Sequence, residues 1–216
     1  MKIEIFSDII CPWCFIGKQR LDRVLATEAG EGIELRWRPY LLYPNLPEDG
    51  VDRAERLRQR YGEDADPGRI PERIRMEAEG EALSLRFDLI QRTPNTLLAH
   101  RLMEFAYDAD VTGELQHQLS ERLFRAYFCE GQDVGQIETL LEQADQVGLS
   151  AEEARQYLES DSGMAEVQEQ LERGPELGVS GVPGYYLAEG FLLPGAQTSE
   201  TMGQIITRVK ERVAAN

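Results

Sequence analysis

The apolar positions of this 216-residue chain change their period along its length. At the start, Ile3, Ile5 and the Ile9-Ile10 pair read as a buried strand and its exit. Phe15, Ile16, Leu21, Val24 and Leu25 then recur at roughly helical spacing. Glycine favours the left-handed residue that closes a helix, so this helix is expected to end near Ala29-Gly30. Ile33-Glu34-Leu35-Arg36-Trp37-Arg38 alternates apolar and polar residues, the signature of a second strand. Pro39, Pro44 and Pro47 then break regular structure, and from about Val51 to Gly178 the pattern is almost wholly helical. Within that stretch Thr93-Pro94 reads as an N-cap and first-turn proline ahead of Leu97, Leu98, Leu102 and Phe105. Ser150-Ala151-Glu152-Glu153 reads as a capping box. Leu115, Leu119, Leu123 and Phe124, and then Ile137, Leu140 and Leu141, form the core faces of packed helices. An exposed loop is expected from Tyr61 to Arg69.

Past Gly178 the pattern reverts. Gly184-Tyr185-Tyr186-Leu187, Ala188-Glu189-Gly190 and Phe191-Leu192-Leu193 read as a tight antiparallel hairpin turning at Gly190, and a last helix from about Ser199 carries Met202, Ile205, Ile206 and Val209. The order is therefore βαβ, helices, ββα. It divides the chain into a discontinuous α/β unit, residues 1–44 and 179–216, and an inserted all-helical unit, residues 45–178.

Composition narrows the partners. A hydrophobic fraction of 42% supports a real core, and three cysteines are too few for a disulfide-dense scaffold. The net charge of −16 opposes nucleic acid and anionic membranes as partners, and no segment approaches a membrane span. Glu4 and Asp8 interrupt the first apolar residues, which does not fit a signal peptide, so a cytoplasmic location is expected.

The candidate chemistry lies where the first strand gives way to the first helix, at Cys11-Pro12-Trp13-Cys14. Cys11 falls at a helix N-terminus, where free backbone N–H groups and the macrodipole favour a thiolate, the nucleophilic form of cysteine. Pro12 suits a first helical turn. Cys14 lies one turn further in and is expected to be the more buried, resolving thiol. Competing uses of the pair are a static disulfide, chance packing and half of a zinc site. A closed zinc site needs four ligands, and the chain offers only Cys129, His100 and His117 in addition, none in a second paired motif. No metal site is therefore expected. Cys129 reads as a packed residue at a helix end, and His100 and His117 as satisfied structural histidines.

Three stretches carry a family resemblance: Ser7-Asp8-Ile9-Ile10-Cys11-Pro12-Trp13-Cys14-Phe15-Ile16-Gly17, Asn95-Thr96-Leu97-Leu98-Ala99-His100, and Gly181-Val182-Pro183 with Gly195-Ala196-Gln197. Together they resemble the FrnE branch of the DsbA-like thioredoxin superfamily. The resemblance implies a thioredoxin fold with a large helical insertion and thiol–disulfide oxidoreductase activity on protein or small thiol and disulfide substrates. It also implies a cis Val182-Pro183 bond facing the cysteines, with the Val182 backbone binding substrate as a short added strand. A neighbouring branch, the kappa-class glutathione transferases and hydroxychromenecarboxylate isomerases, usually has a serine where this chain has Cys11. A glutathione-dependent isomerase or transferase acting on a small aromatic substrate is the alternative activity. No resident cofactor is expected. Glutathione is left open as reductant or co-substrate, and the Gly195–Ser199 stretch as its carboxylate site, against simple N-capping by Thr198 or Ser199.

Overall fold

The structure, a computed structural model, describes residues 1–215; Asn216, the end of the second expected α/β segment, and the side chain of Glu189 lie outside the described residues. β1 (Lys2–Ser7), α1 (Pro12–Leu25) and β2 (Glu34–Pro39) form a parallel βαβ unit in which Ile3 lies opposite Leu35 and Ile5 opposite Trp37. β3 (Val51–Asp52) precedes α2 (Arg53–Tyr61) and α3 (Glu72–Gly80), and pairs antiparallel with β4 (Arg92–Thr93). The helices α4 (Leu97–Ala109), α5 (Glu114–Phe128), α6 (Ile137–Gln146), α7 (Ala151–Glu159) and α8 (Met164–Glu176) follow. The chain closes with β5 (Gly184–Tyr186), β6 (Leu192–Pro194) and α9 (Ser199–Ala215). The main sheet has the order β2-β1-β5-β6, with β5 antiparallel to both neighbours.

β1 is a central strand with helices packed on both faces of the sheet, α1 and α5 on one and α8 on the other, which is why its apolar residues are buried on both faces rather than alternating. Side chains in register across a sheet share a face, so Ile5, Ser7, Trp37 and Tyr185 point one way and Phe6 and Arg36 the other. On the first face Phe15 of α1 stacks on Phe124 and Phe128 of α5, with ring centroids 5.2 and 6.1 Å apart, and Trp37 meets Phe124 edge-on. On the second, Gly174 of α8 closes on the Phe6 ring and Arg36 forms a buried ion pair with Glu104 of α4. The aromatic joint makes one continuous core of sheet and helices. Gln116 of α5 seals the polar edge of β2: its Oε1 accepts from Trp37 N at 2.8 Å and its Nε2 donates to Trp37 O at 3.2 Å.

Three local expectations are corrected. α1 stops at Leu25 instead of running to Ala29-Gly30, because the Thr27 hydroxyl takes the Val24 carbonyl at 2.7 Å and a 3-10 turn, Glu28–Gly30, follows. Positive φ is taken by Gly32, at 65°, and not by Gly30. Thr93 is no helix cap: it pairs with Val51 in the small sheet, while α4 begins at Leu97, whose N–H donates to Asn95 Oδ1. The Ser150 cap is observed, its side chain accepting from Glu153 N.

Candidate active site

Cys11 is the N-cap of α1, with φ −96° and ψ 111°, and Pro12 is the first helical residue. Cys11 and Cys14 are both free thiols, 4% and 1% exposed, so the second is the more buried as expected. The Cys11 carbonyl accepts from Cys14 N at 3.0 Å, which winds both sulfurs onto the first turn. Burial, and the neighbouring Cys11, push the Cys14 thiol well above its ordinary pKa. Cys14 thus stays protonated until something stabilises its anion. Trp13 is half-buried, and the Arg73 guanidinium of α3 lies 5.1 Å from its ring centroid.

The bond Val182-Pro183 is cis, and the Val182 carbonyl oxygen stands 3.8 Å from Cys11 Sγ. Two features let this loop come so close to the helix. Gly17, one turn after Cys14, has no side chain. A Cβ there would lie 2.4 Å from Tyr185 Oη and 3.1 Å from Pro183 Cγ. Arg20, one turn further, is the second. It donates to the Ala196 carbonyl at 2.8 Å and to Glu81 at 2.8 Å, and pairs with Glu77, so one guanidinium joins α1, α3 and the loop after β6. Gly195 N completes the frame by donating to Pro183 O at 2.7 Å. Beside the loop, Val179, Val182 and Leu192 line a groove of about 420 Å³.

Asp8, fully buried ahead of the cysteines, anchors the turn into α1. Its Oδ2 accepts from Leu42 N at 2.7 Å, its Oδ1 accepts from Ile10 N at 3.3 Å, and its carbonyl accepts from Cys11 N. Burial pushes its carboxyl up to about 6. His100 of α4 lies 3.9 Å from Asp8 Oδ1 and donates from Nε2 to the Tyr40 carbonyl at 3.1 Å; burial pushes it down to about 4. The Asn95–His100 stretch thus meets the cysteine loop through Asp8 and leaves the sulfurs themselves to others. His117 is held elsewhere: Trp37 Nε1 donates to its Nδ1 at 3.2 Å, so its Nε2 carries the proton and donates to Asp22 at 2.7 Å. Both histidines are therefore satisfied structural residues. Cys129 caps the C-terminus of α5, half-buried, and burial raises its pKa. Thr198 Oγ1 accepts from Thr201 N, an ordinary N-cap of α9, and Ser199 Oγ donates to the Arg20 carbonyl. Among the described residues no three His, Cys, Asp or Glu side chains group as metal ligands, and no helix is long and apolar enough to cross a membrane.

Sequence reasoning missed Asp8, Gly17 and Arg20 as parts of this site. For Arg20 there was a signal: it shares the helix face of Ile16 and Val24, where a charged residue needs a partner.

A cysteine pair at the N-terminus of the first helix, across from a cis-proline loop in a four-stranded mixed sheet, defines a thioredoxin-type fold. Residues 2–207 match the DSBA-like thioredoxin domain, and the chain belongs to that family. A solved structure described as a probable DsbA oxidoreductase from Streptomyces coelicolor superposes with a TM-score of 0.82 at 28% identity, over 98% of this chain and 90% of that one. The cytosolic disulfide reductase DsbM from Pseudomonas aeruginosa, solved also with glutathione, shares the fold at a TM-score of 0.69 and 18% identity, over 100% of both chains. An uncharacterised protein of Bacillus subtilis, YwbO, is 25% identical over 208 residues, 96% of each chain.

Proposed function

We propose that the protein is a thiol–disulfide oxidoreductase of the FrnE branch, working through Cys11 and Cys14 in the cytoplasm. The observation that carries this reading is the placement of Cys11 Sγ at a helix N-terminus, 3.8 Å from the Val182 carbonyl ahead of a cis-proline. In the reducing direction the Cys11 thiolate attacks one sulfur of a substrate disulfide; a Cys11–substrate disulfide forms and the other substrate sulfur leaves as a thiolate. Cys14, losing its proton, then attacks Cys11 Sγ, which closes the Cys11–Cys14 disulfide and releases the second substrate thiolate. The oxidising direction is the reverse. The position of Val182, half-buried and lining the groove, suits an extended segment on either side of the reacting sulfur, the substrate adding a short strand. Glutathione is the small thiol proposed to reduce the pair, by analogy with the DsbM structure that holds it. No resident cofactor is assigned.

The 1–44 and 179–216 segments would then supply the chemistry, and the 45–178 segment the supports: α3 beside Trp13 and Arg20, and α4 beside Asp8. Replacing Cys14 with Ser should trap reductant-sensitive mixed disulfides through Cys11. Recovery of no such adduct, from glutathione disulfide or from a protein disulfide, would overturn the assignment.

A further inference from the structure

Ser7 ends β1 on the sheet face that carries Ile5 and Tyr185, the face against which Gly17 and hence the first turns of α1 pack. It is 2% exposed, and its Oγ has no hydrogen-bond partner among the described residues. A hydroxyl buried without a partner costs stability, and such groups in folded proteins call for a reason. Ser7 is a serine where the strand pattern would accept any small apolar residue. Gly17 packs over Tyr185, which lies opposite Ile5, so Cys14, one helical turn earlier, sits over the next position of that face, which is Ser7; the Ser7 hydroxyl and the Asp8 N–H both act to lower the pKa of that thiol, against the burial that raises it. A neutral thiol is a poor acceptor, so the hydroxyl has little to bond to in the reduced state. A thiolate is a strong one.

We propose that Ser7 is a hydrogen-bond donor held for the anionic sulfur of Cys14, a third residue of the disulfide-exchange machinery. The proposal rests on the disulfide-exchange reading above. When a substrate thiolate attacks Cys11 Sγ of the oxidised protein, a Cys11–substrate bond forms, the Cys11–Cys14 bond breaks, and its electron pair leaves on Cys14. Ser7 Oγ–H then donates to that sulfur. In the opposite direction the same bond favours the ionised Cys14 that attacks Cys11 Sγ. The titratable groups facing Cys14 are Cys11 on its own helix and Tyr185 from β5, whose phenol burial keeps protonated. The Asp8 N–H is a fixed backbone donor that no side-chain substitution removes. The Tyr185 Oη is likewise without a partner among the described residues, and of the two side-chain donors Ser7 is the one that acts on the Cys14 thiol by hydrogen bonding.

The test uses the full chain with Cys11→Ser and Cys129→Ser, which leaves Cys14 as the single thiol, and follows its ionisation by the ultraviolet absorbance of the thiolate. Adding Ser7→Ala should raise the midpoint by about one pH unit, a loss of about tenfold in thiolate at a given pH, and Ser7→Thr should restore it. An unchanged midpoint after Ser7→Ala overturns the proposal. With all three cysteines present, Ser7→Ala should slow release of glutathione from the Cys11 mixed disulfide about tenfold, with alkylation of reduced Cys11 unaltered. A purely structural serine would lower thermal stability and leave both readouts in place. Because the hydroxyl is orphaned in the reduced protein, Ser7→Ala should melt no lower than its parent. Should Ser7→Ala fail to fold, the same-shape pair Ser7→Thr and Ser7→Val decides: equal midpoints overturn the proposal. If instead no mixed disulfide forms through Cys11, the disulfide-exchange reading fails, and the titration of Cys14 still judges Ser7 by itself.

Discussion

Asp8 and His100 lie 3.9 Å apart in the core beneath the cysteine loop, and burial moves them in opposite directions, to about 6 and about 4. Each shift is a dependence of stability on pH, and the two have opposite signs. For Asp8 the folded value is raised from an ordinary 3.8, so the folded protein binds more protons than the unfolded chain; its contribution is complete below 3.8 and is lost as pH rises through 6. The gap corresponds to about 3 kcal/mol. For His100 the folded value is lowered from 6.5, so its contribution is complete above 6.5 and is lost as pH falls through 4. That gap also corresponds to about 3 kcal/mol. In the native chain the two nearly cancel between pH 4 and 6.5, and single substitutions should expose them. Asp8→Asn gives up one acceptor, the oxygen that holds Leu42 N, at a cost of about 1–3 kcal/mol independent of pH. On top of that constant loss it should gain about 3 kcal/mol relative to the native protein as pH rises from 4 to 7. His100→Gln, which keeps a donor for the Tyr40 carbonyl, should move the other way by a similar amount. Urea unfolding at a series of pH values from 4 to 8 measures both, and titrating groups distant from this pair drop out of the difference between variant and native protein. A stability of Asp8→Asn relative to the native protein that stays constant with pH, or that falls as pH rises, would refute the assignment of a raised carboxyl.

Other outcomes follow from the same frame. Gly17→Ala should cost about 1–3 kcal/mol of stability, because its Cβ meets Tyr185 Oη and Pro183 Cγ; a melting temperature equal to that of the native protein would mean that the loop gives way freely. Arg20→Met should cost about 2 kcal/mol, since Arg23 still holds Glu81 and water screens Glu77, and it should slow disulfide exchange by loosening the loop at Ala196. Undiminished exchange would restrict Arg20 to a structural role. The Pro12-Trp13 dipeptide lacks the histidine of strongly oxidising periplasmic relatives, so equilibration with glutathione buffers should place the midpoint potential between about −120 and −270 mV. A value outside that range would contradict an intermediate potential.

The sequence was sufficient for what depends on neighbours in the chain. Helical spacing after Ile10 put Cys11 at a helix start and Cys14 one turn inside, the alternation of Ile33–Arg38 marked β2, and Ser150 announced α7, because each is set by contacts within a few residues. The order βαβ, helices, ββα followed from the same periods. Missing were the features in which a local rule lost to a distant partner. Thr93 had the form of a helix cap, yet Val51, more than forty positions earlier, draws it into a strand. Glycine at 30 looked like a helix stop, yet a threonine hydroxyl ends the helix sooner. Asp8 read as a polar interruption of an apolar run, and only the fold removes it from water and sets it beside His100. The same holds for the candidate site. Cysteines 11 and 14 were visible as a pair, but the 3.8 Å approach of Val182 to Cys11 depends on an absent side chain at Gly17 and on the reach of Arg20 to Ala196, contacts that span more than 160 residues of sequence. Hydrophobic period and helix capping act over a few residues and are written in the chain itself; burial, hydrogen-bond partnership and close approach belong to pairs that meet only after the sheet has closed.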